Sequence, residues 1–265
     1  MNYTLITGAC GGLGKALLME CIKTKDNLIL TGTSEKKLAG LCDEFKDKFE
    51  ALDVKTITCN LGNADDRKKV LDYIKDNGFV VTKLVNNAGV IIEGELLKAK
   101  DEDILNAIEV NCVGTLDLTQ KLLKIRDENQ KFEVLTVASQ AAFQPIPRMA
   151  VYAATKSFLV SMMTALSVEL KDKNVVITTV CPSGMATTDA MKESIASMGI
   201  NGKLTTLPVE RVAKVAFKAL SKKKAVVIPG GFNKFVNFIS KPFSVTFLAK
   251  TTGKIWKKSQ AKRNF

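Results

Sequence analysis

Three residues near the middle of the chain have the types and spacing to move a proton to or from a carbonyl oxygen. Tyr152 and Lys156 stand four apart, and on a helix that spacing puts both on one face, a single turn from each other. A phenol titrates near pH ~10 in water, and a neighbouring ammonium favours the phenolate, so the pair is expected to bring Tyr152 down toward working pH. Ser139 closes the apolar run Val134-Leu135-Thr136-Val137, where a hydroxyl held at a strand end can bond the same oxygen that the phenol protonates. That is equipment for interconverting a carbonyl and an alcohol, although Tyr-x-x-x-Lys alone is also an ordinary pattern on an amphipathic helix.

Other chemistries are excluded by what the chain lacks. It has no histidine, which removes Ser/His/Asp triads and the usual zinc sets and leaves neutral-pH proton transfer to a perturbed Tyr, Lys, Cys or carboxylate. Six cysteines (Cys10, Cys21, Cys42, Cys59, Cys112, Cys181) show no Cys-x-x-Cys spacing and read as core thiols in a reducing cytoplasm, so no metal site is expected.

The elements that must position these residues alternate between strand and helix. Residues 3–7 read as a buried strand, and Gly8-Ala9-Cys10-Gly11-Gly12-Leu13-Gly14 turns into a helix whose free N–H groups can face a pyrophosphate. A second strand (28–31) ends at Gly32-Thr33-Ser34, with Ser34 a fitting N-cap for a helix to residue 49. A third (54–59) ends at Asn60-Leu61, and a fourth (83–86) runs into Asn87-Ala88-Gly89. One long helix begins at Asp101-Glu102-Asp103, carries Asn111 and continues to Leu123. After the fifth strand and Ser139, a loop with Pro145 and Pro147 offers Phe143, Ile146 and Met149 either as a pocket wall or as ordinary loop packing. The helix from 150 to 172 is apolar on more than one face, residues 175–180 form a sixth strand, and Cys181 to Thr187 follow it. Residues 188–206, with Met191, Ile195 and Met198, read as a flap over a substrate. Pro208 opens a further helix, and a last strand spans 225–228.

Four stretches in this order make the sequence resemble the short-chain dehydrogenase/reductase family over nearly its whole length. They are Thr7-Gly8-x-x-x-Gly12-x-Gly14, Asn86-Asn87-Ala88-Gly89, Asn111 in Asn-Cys-Val-Gly, and Ser139 followed thirteen residues later by Tyr152. The resemblance implies a Rossmann-type doubly wound α/β fold, a mainly parallel sheet flanked by helices, and hydride transfer between a nicotinamide and a carbonyl or alcohol, here expected to be a hydrophobic ketone or aldehyde. It implies that Tyr152 is the acid/base, that Ser139 stabilises the developing charge, and that Lys156 tunes Tyr152 and holds the nicotinamide ribose. Asn111 is implied to kink its helix and hold a water that relays protons. The same resemblance assigns Gly8, Cys10, Gly11, Gly12, Leu13 and Gly14 to the pyrophosphate end of the cofactor. It assigns Thr33 and Ser34 to the adenosine ribose, Asn60 and Leu61 to the adenine, and Asn87, Ala88 and Gly89 to the cofactor's flank. Pro182, Met185 and Thr187 are assigned to the nicotinamide, with Ser183 standing where the family usually has glycine. Substrate contacts are expected from Ser139, Phe143, Met149 and Tyr152. With no acid at Gly32, and with Thr33, Ser34 and Lys36 or Lys37 nearby, NADP(H) is favoured and NAD(H) is the alternative. A homo-oligomer pairing through the catalytic helix and the long helix before it is implied too. The competing reading is a non-catalytic dinucleotide-binding sensor or scaffold, against which the complete Asn, Ser, Tyr, Lys set argues.

The 265 residues carry no Pro/Gly/Ser-rich linker and no repeat, and read as one nucleotide-binding domain over 1–265 with an extension at 231–265. No signal-peptide pattern opens the chain and no uncharged window reaches membrane-spanning length, so a cytoplasmic protein is expected. The net charge of +12 is concentrated at one end. From Arg211 onward there are fourteen Lys or Arg and no acid, leaving 25 basic against 27 acidic residues before it. No nucleic-acid motif accompanies this charge. Between those lysines stand Phe232, Phe235, Phe238, Phe243, Phe247 and Trp256. Such a tail either lies peripherally on an anionic membrane or packs its apolar side back onto the domain beside the substrate flap, leaving the lysines solvated.

Overall fold

The computed structural model describes residues 2–187, 195 and 204–260. Seven strands form one sheet: β1 (Asn2–Ile6), β2 (Asn27–Gly32), β3 (Val54–Thr58), β4 (Val80–Asn86), β5 (Phe132–Val137), β6 (Val175–Val180) and the short β7 (Val226–Val227). Their order is β3-β2-β1-β4-β5-β6-β7, and every neighbouring pair is parallel. Between them run α1 (Gly12–Lys23), α2 (Glu35–Glu44), α3 (Ala64–Asp76), α4 (Asp101–Ile108), α5 (Thr115–Ile125), α6 (Ala150–Glu169) and α7 (Val209–Ser221). Two further helices, α8 (Gly231–Ser240) and α9 (Val245–Gln260), follow the sheet.

The strands are apolar at successive positions because both faces of the sheet are covered, and the period of two splits each strand between two cores. Ile6, Leu28, Leu30, Val85 and Leu135 join α1, α2 and α7 in one cluster. Their neighbours Leu5, Ile29, Leu84 and Val134 join α3, α5 and α6 in the other. Leu5, Ile6 and Leu28 to Leu30 are fully buried, each worth about 1.5 to 3 kcal/mol relative to exposure. Ala213 and Ala216 on α7 are small and fully buried in the first cluster, which lets α7 sit close to α1.

The strand order reverses between β1 and β4, so the loops leaving their carboxyl ends diverge and open a crevice. The expected long helix around Asn111 is interrupted there. Between α4 and α5 the segment Glu109–Gly114 is a π-helix, and only glycine fits at Gly114, where a Cβ would stand 2.3 Å from the Leu61 carbonyl oxygen. Arg67 on α3 pins the same loop by donating to the Leu61 carbonyl at 2.6 Å and to Asp117 on α5 at 2.8 Å. The guanidinium and Lys121 hold the Asp117 carboxyl below its ordinary range against the opposing effect of burial.

Among the described residues one helix, α6, is long and apolar enough to cross a membrane by length and composition. It carries Lys156 and turns Tyr152, Ala153, Thr155, Lys156, Leu159 and Met163 into the domain, as a core helix does. The apolar flap expected over residues 188–206 lies outside the described residues apart from Ile195 and residues 204–206.

Candidate active site

A cleft of about 920 Å³ follows the crevice along the carboxyl ends of the strands, large for a small-molecule site. Its floor at one end is the turn from Gly8 to Gly14. Gly8 adopts a positive φ of 65°, and a Cβ there would lie 2.9 Å from the Ala88 Cα; one on Gly14 would lie 2.3 Å from the Gly8 carbonyl oxygen. The glycines are thus required by the backbone's own packing. The start of α1 has no side-chain cap and no acid in its first turn, so the first N–H groups of that twelve-residue helix face the cleft without a protein partner of either kind. A phosphate-bearing cofactor fits this floor.

Thr7 and Asn87 hold the turn in place. The Thr7 hydroxyl accepts from the backbone N–H groups of Asn87 (3.0 Å) and Ala88 (3.1 Å), while the Asn87 amide donates to the carbonyls of Thr7 (3.1 Å) and Gly8 (2.9 Å). Asn86 serves the sheet instead: it is buried, and its amide donates to the hydroxyls of Thr119 and Thr136. Further along the cleft stand Cys10, Gly11, Gly12, Leu13, Thr33 and Ser34. Ser34 caps α2 by accepting from the Lys37 N–H at 3.3 Å. Lys37 lines the cleft, whereas Lys36 does not. Asn60, Leu61, Ala88 and Gly89 form the opposite bank, and Pro182, Met185 and Thr187 close over from β6. Thr187 sits directly above Gly12, its Cγ2 3.0 Å from where a Cβ would be.

At the other end the reactive groups converge. Tyr152 on α6 is buried beside Ser139, whose Oγ accepts from the Ala141 N–H at 3.1 Å. Lys156 is buried, donates to the Val137 carbonyl at 3.2 Å, and places Nζ 5.8 Å from the centre of the Tyr152 ring. Asn111 is fully buried in the π-helix. Its Oδ1 accepts from the Val90 N–H at 2.9 Å, and its amide donates to the Val90 carbonyl (2.9 Å) and the Thr155 hydroxyl (3.1 Å). The side chain thus clasps the loop after β4 to α6, with both amide N–H groups used and one acceptor site of Oδ1 left over.

The electrostatics differ from the expectation drawn from spacing. Burial raises the Tyr152 phenol above its ordinary value, with the Ser139 hydrogen bond opposing the rise. Burial also lowers Lys156 from 10.5 to about 8. Desolvation is the largest influence on both groups because both sit in the interior, and it keeps the phenol on its protonated side.

Of the expected substrate contacts, Met149 lines the cleft with Ser139 and Tyr152, and Phe143 does not. The Ser139 cap starts a short 3-10 turn, Gln140–Phe143, that carries the Phe143 ring away toward Ala138, Leu159, Cys181 and Ile228. Gln144 was not expected there; the chain's last helices add Phe232, Val236, Thr252 and Ile255, the packing back onto the domain that was one of the two placements expected of the tail. Their signal was the four-residue spacing of Phe232 and Val236, which shares one helix face. These helices are fastened to the active-site loop. Thr252 donates to the Pro145 carbonyl at 2.8 Å, Gln140 donates to the Asn233 carbonyl at 3.1 Å, and the Asn233 amide donates to the carbonyls of Thr205 and Pro229.

A parallel sheet with a glycine-floored crevice at its switch point, and a Ser/Tyr/Lys group at the far end of it, defines a dinucleotide-binding α/β protein equipped for acid/base chemistry. The chain belongs to the short chain dehydrogenase family, whose family model matches residues 2–198. It is 32% identical over 178 residues to the very-long-chain 3-oxoacyl-CoA reductase of Neurospora crassa, an alignment covering 66% of this chain and 53% of that protein. It is 30% identical over 191 residues to 17-beta-hydroxysteroid dehydrogenase type 3 of Mus musculus, covering 70% and 61%. The chain thus spans little more than half the length of these curated relatives. A solved structure of a 7beta-hydroxysteroid dehydrogenase superposes with a TM-score of 0.84 at 21% identity, covering 95% of this chain and 96% of that one.

Proposed function

We propose that the chain is an NADP(H)-dependent oxidoreductase that reduces a hydrophobic ketone or aldehyde. The observation that carries this reading is the meeting of Ser139, buried Tyr152 and Lys156 at one end of a cleft whose other end is the uncapped start of α1. Bound nicotinamide cofactor supplies the hydride. The turn from Gly8 to Gly14 and the α1 N–H groups hold its phosphates, and Lys37 with Thr33 and Ser34 reaches a 2′-phosphate.

In the reducing direction Tyr152 supplies the proton to the carbonyl oxygen, and in the reverse direction it takes that proton back. Ser139 accepts from Ala141 and keeps its own hydroxyl proton to give to the same oxygen. Lys156 is anchored on Val137 and presents its remaining N–H groups to the cleft. Asn111 acts as a positioning residue. Its bonds to Val90 and Thr155 hold the loop after β4 against α6 beside Lys156.

Apolar groups dominate the substrate end: Ile146, Met149, Ile195, Phe232, Val236 and Ile255. They favour a lipid-like carbonyl compound, in keeping with relatives named for acyl chains and steroids. The outer side of the α4, α5 and α6 layer leaves Leu105, Leu116, Phe158 and Val168 exposed, and we assign that surface to a homo-oligomer contact. The test is NADPH oxidation screened over β-keto thioesters, ketosteroids and long-chain aldehydes, followed by Tyr152→Phe. The variant is expected to bind NADPH normally and to lose turnover by at least about a hundredfold; wild-type kcat in the variant rules the mechanism out.

A further inference from the structure

The last two helices divide their residues between two sides. Inward, Asn233 is 1% exposed and fixed to Thr205 and Pro229, and Thr252 is fixed to Pro145. Outward, the opposite side of α8 shows Phe235 at 57% and Phe238 at 70% exposure, with Phe243 and Phe247 at 50% each. The last two rings stack, their centres 5.0 Å apart. A contiguous aromatic surface of this kind marks a contact site.

The charge around it selects the partner. Lys234, Lys241, Lys250, Lys254 and Lys257 are exposed on the same segment, and the sequence from Arg211 to its end contains no acid. A second copy meeting this surface by two-fold symmetry brings lysines against lysines with nothing to neutralise them. An anionic bilayer offers the complement: rings sink to the headgroup level, while lysine stems lie along the apolar boundary and carry their charges to the phosphates. The inward sides of these helices supply Phe232, Val236 and Ile255 to the cleft, so the aromatic surface and the substrate end share one structural support.

We propose that the outer face of α8 and α9 docks on an anionic lipid bilayer and holds the substrate end of the cleft against it. The route this gives to a membrane-dissolved substrate rests on the reaction proposed above; the docking itself does not. Truncating the tail is unsuitable as a test because its residues wall the cleft, so the full chain is compared with Phe235→Ser/Phe238→Ser and with Lys250→Glu/Lys254→Glu. Each is cosedimented with phosphatidylcholine vesicles with and without phosphatidylserine, at low and high salt. The full chain is expected to bind the mixed vesicles, and either double substitution or high salt is expected to weaken that binding about tenfold or more. All forms are expected to keep the same vesicle-free turnover of a water-soluble ketone with NADPH, which reads the reaction independently of the docking. The proposal is overturned if the full chain ignores the mixed vesicles, or if the Phe235→Ser/Phe238→Ser form binds them as well as the wild type. It is equally overturned if the free chain self-associates through this face, seen in sedimentation velocity as an oligomer that the phenylalanine substitutions dissolve.

Discussion

Lys156 costs the protein stability that its replacement should return. Its fall from 10.5 to about 8 on burial means that holding the ammonium in the interior costs roughly 3 kcal/mol, at about 1.4 kcal/mol per tenfold change in proton affinity. Replacement by methionine keeps the length and removes the charge, but it gives up the hydrogen bond to the Val137 carbonyl, worth about 1 kcal/mol. Lys156→Met is therefore expected to be more stable than the wild type by about 2 kcal/mol at pH 7, or about 4 to 8 °C in Tm for a chain of this size. The pH dependence fixes the cause. Since the folded pKa lies below the unfolded one, the unfolded chain binds the proton more tightly, and wild-type stability rises with pH between about 8 and 10.5. The advantage of the variant is complete below about pH 8 and closes as the pH approaches 10.5. Thermal unfolding followed by circular dichroism at several pH values measures it. A variant less stable than the wild type at pH 7, or an advantage indifferent to pH, refutes the reasoning.

NADPH is expected to bind about tenfold more tightly than NADH in a nicotinamide-fluorescence titration, through at least one charge-assisted bond worth roughly 1.5 to 3 kcal/mol, and Lys37→Glu is expected to erase the difference. Equal affinities in the wild type defeat the assignment. Phe143→Ala is expected to lower stability by about 2 kcal/mol, a partly buried share of the cost of emptying an aromatic site, while leaving KM for the carbonyl substrate unchanged; a KM shift in steady-state kinetics puts the ring back in the pocket.

Much of this arrangement is written in the sequence because it depends on local signals. Glycines at fixed spacing after an apolar run specify the floor of the cleft, and residues 175–180 read as the sixth strand with the bounds that β6 has. What escaped depends on depth and on contacts far apart in the chain. The four-residue spacing of Tyr152 and Lys156 says that the two share a face, but it carries no record of how far that face is buried, and burial decides the sign of the phenol's shift. The resemblance implied a kink at Asn111, but not that it is a π-helix in which Gly114 passes close to the Leu61 carbonyl, a meeting of residues more than fifty apart. Phe143 was misplaced because a capping bond from Ser139 turns the chain before the ring is reached. Lys36 and Lys37 are equivalent as letters, and only the direction of α2 separates them.

The fastening of Asn233 to Gln140 and of Thr252 to Pro145 has a consequence for synthesis. The glycine floor and the loops at Thr33 and Asn60 lie early in the chain, whereas Phe232, Val236, Thr252 and Ile255 of the cleft wall lie late. Synthesis from the amino-terminal end therefore delivers the residues of the nucleotide floor well before those that wall the substrate end.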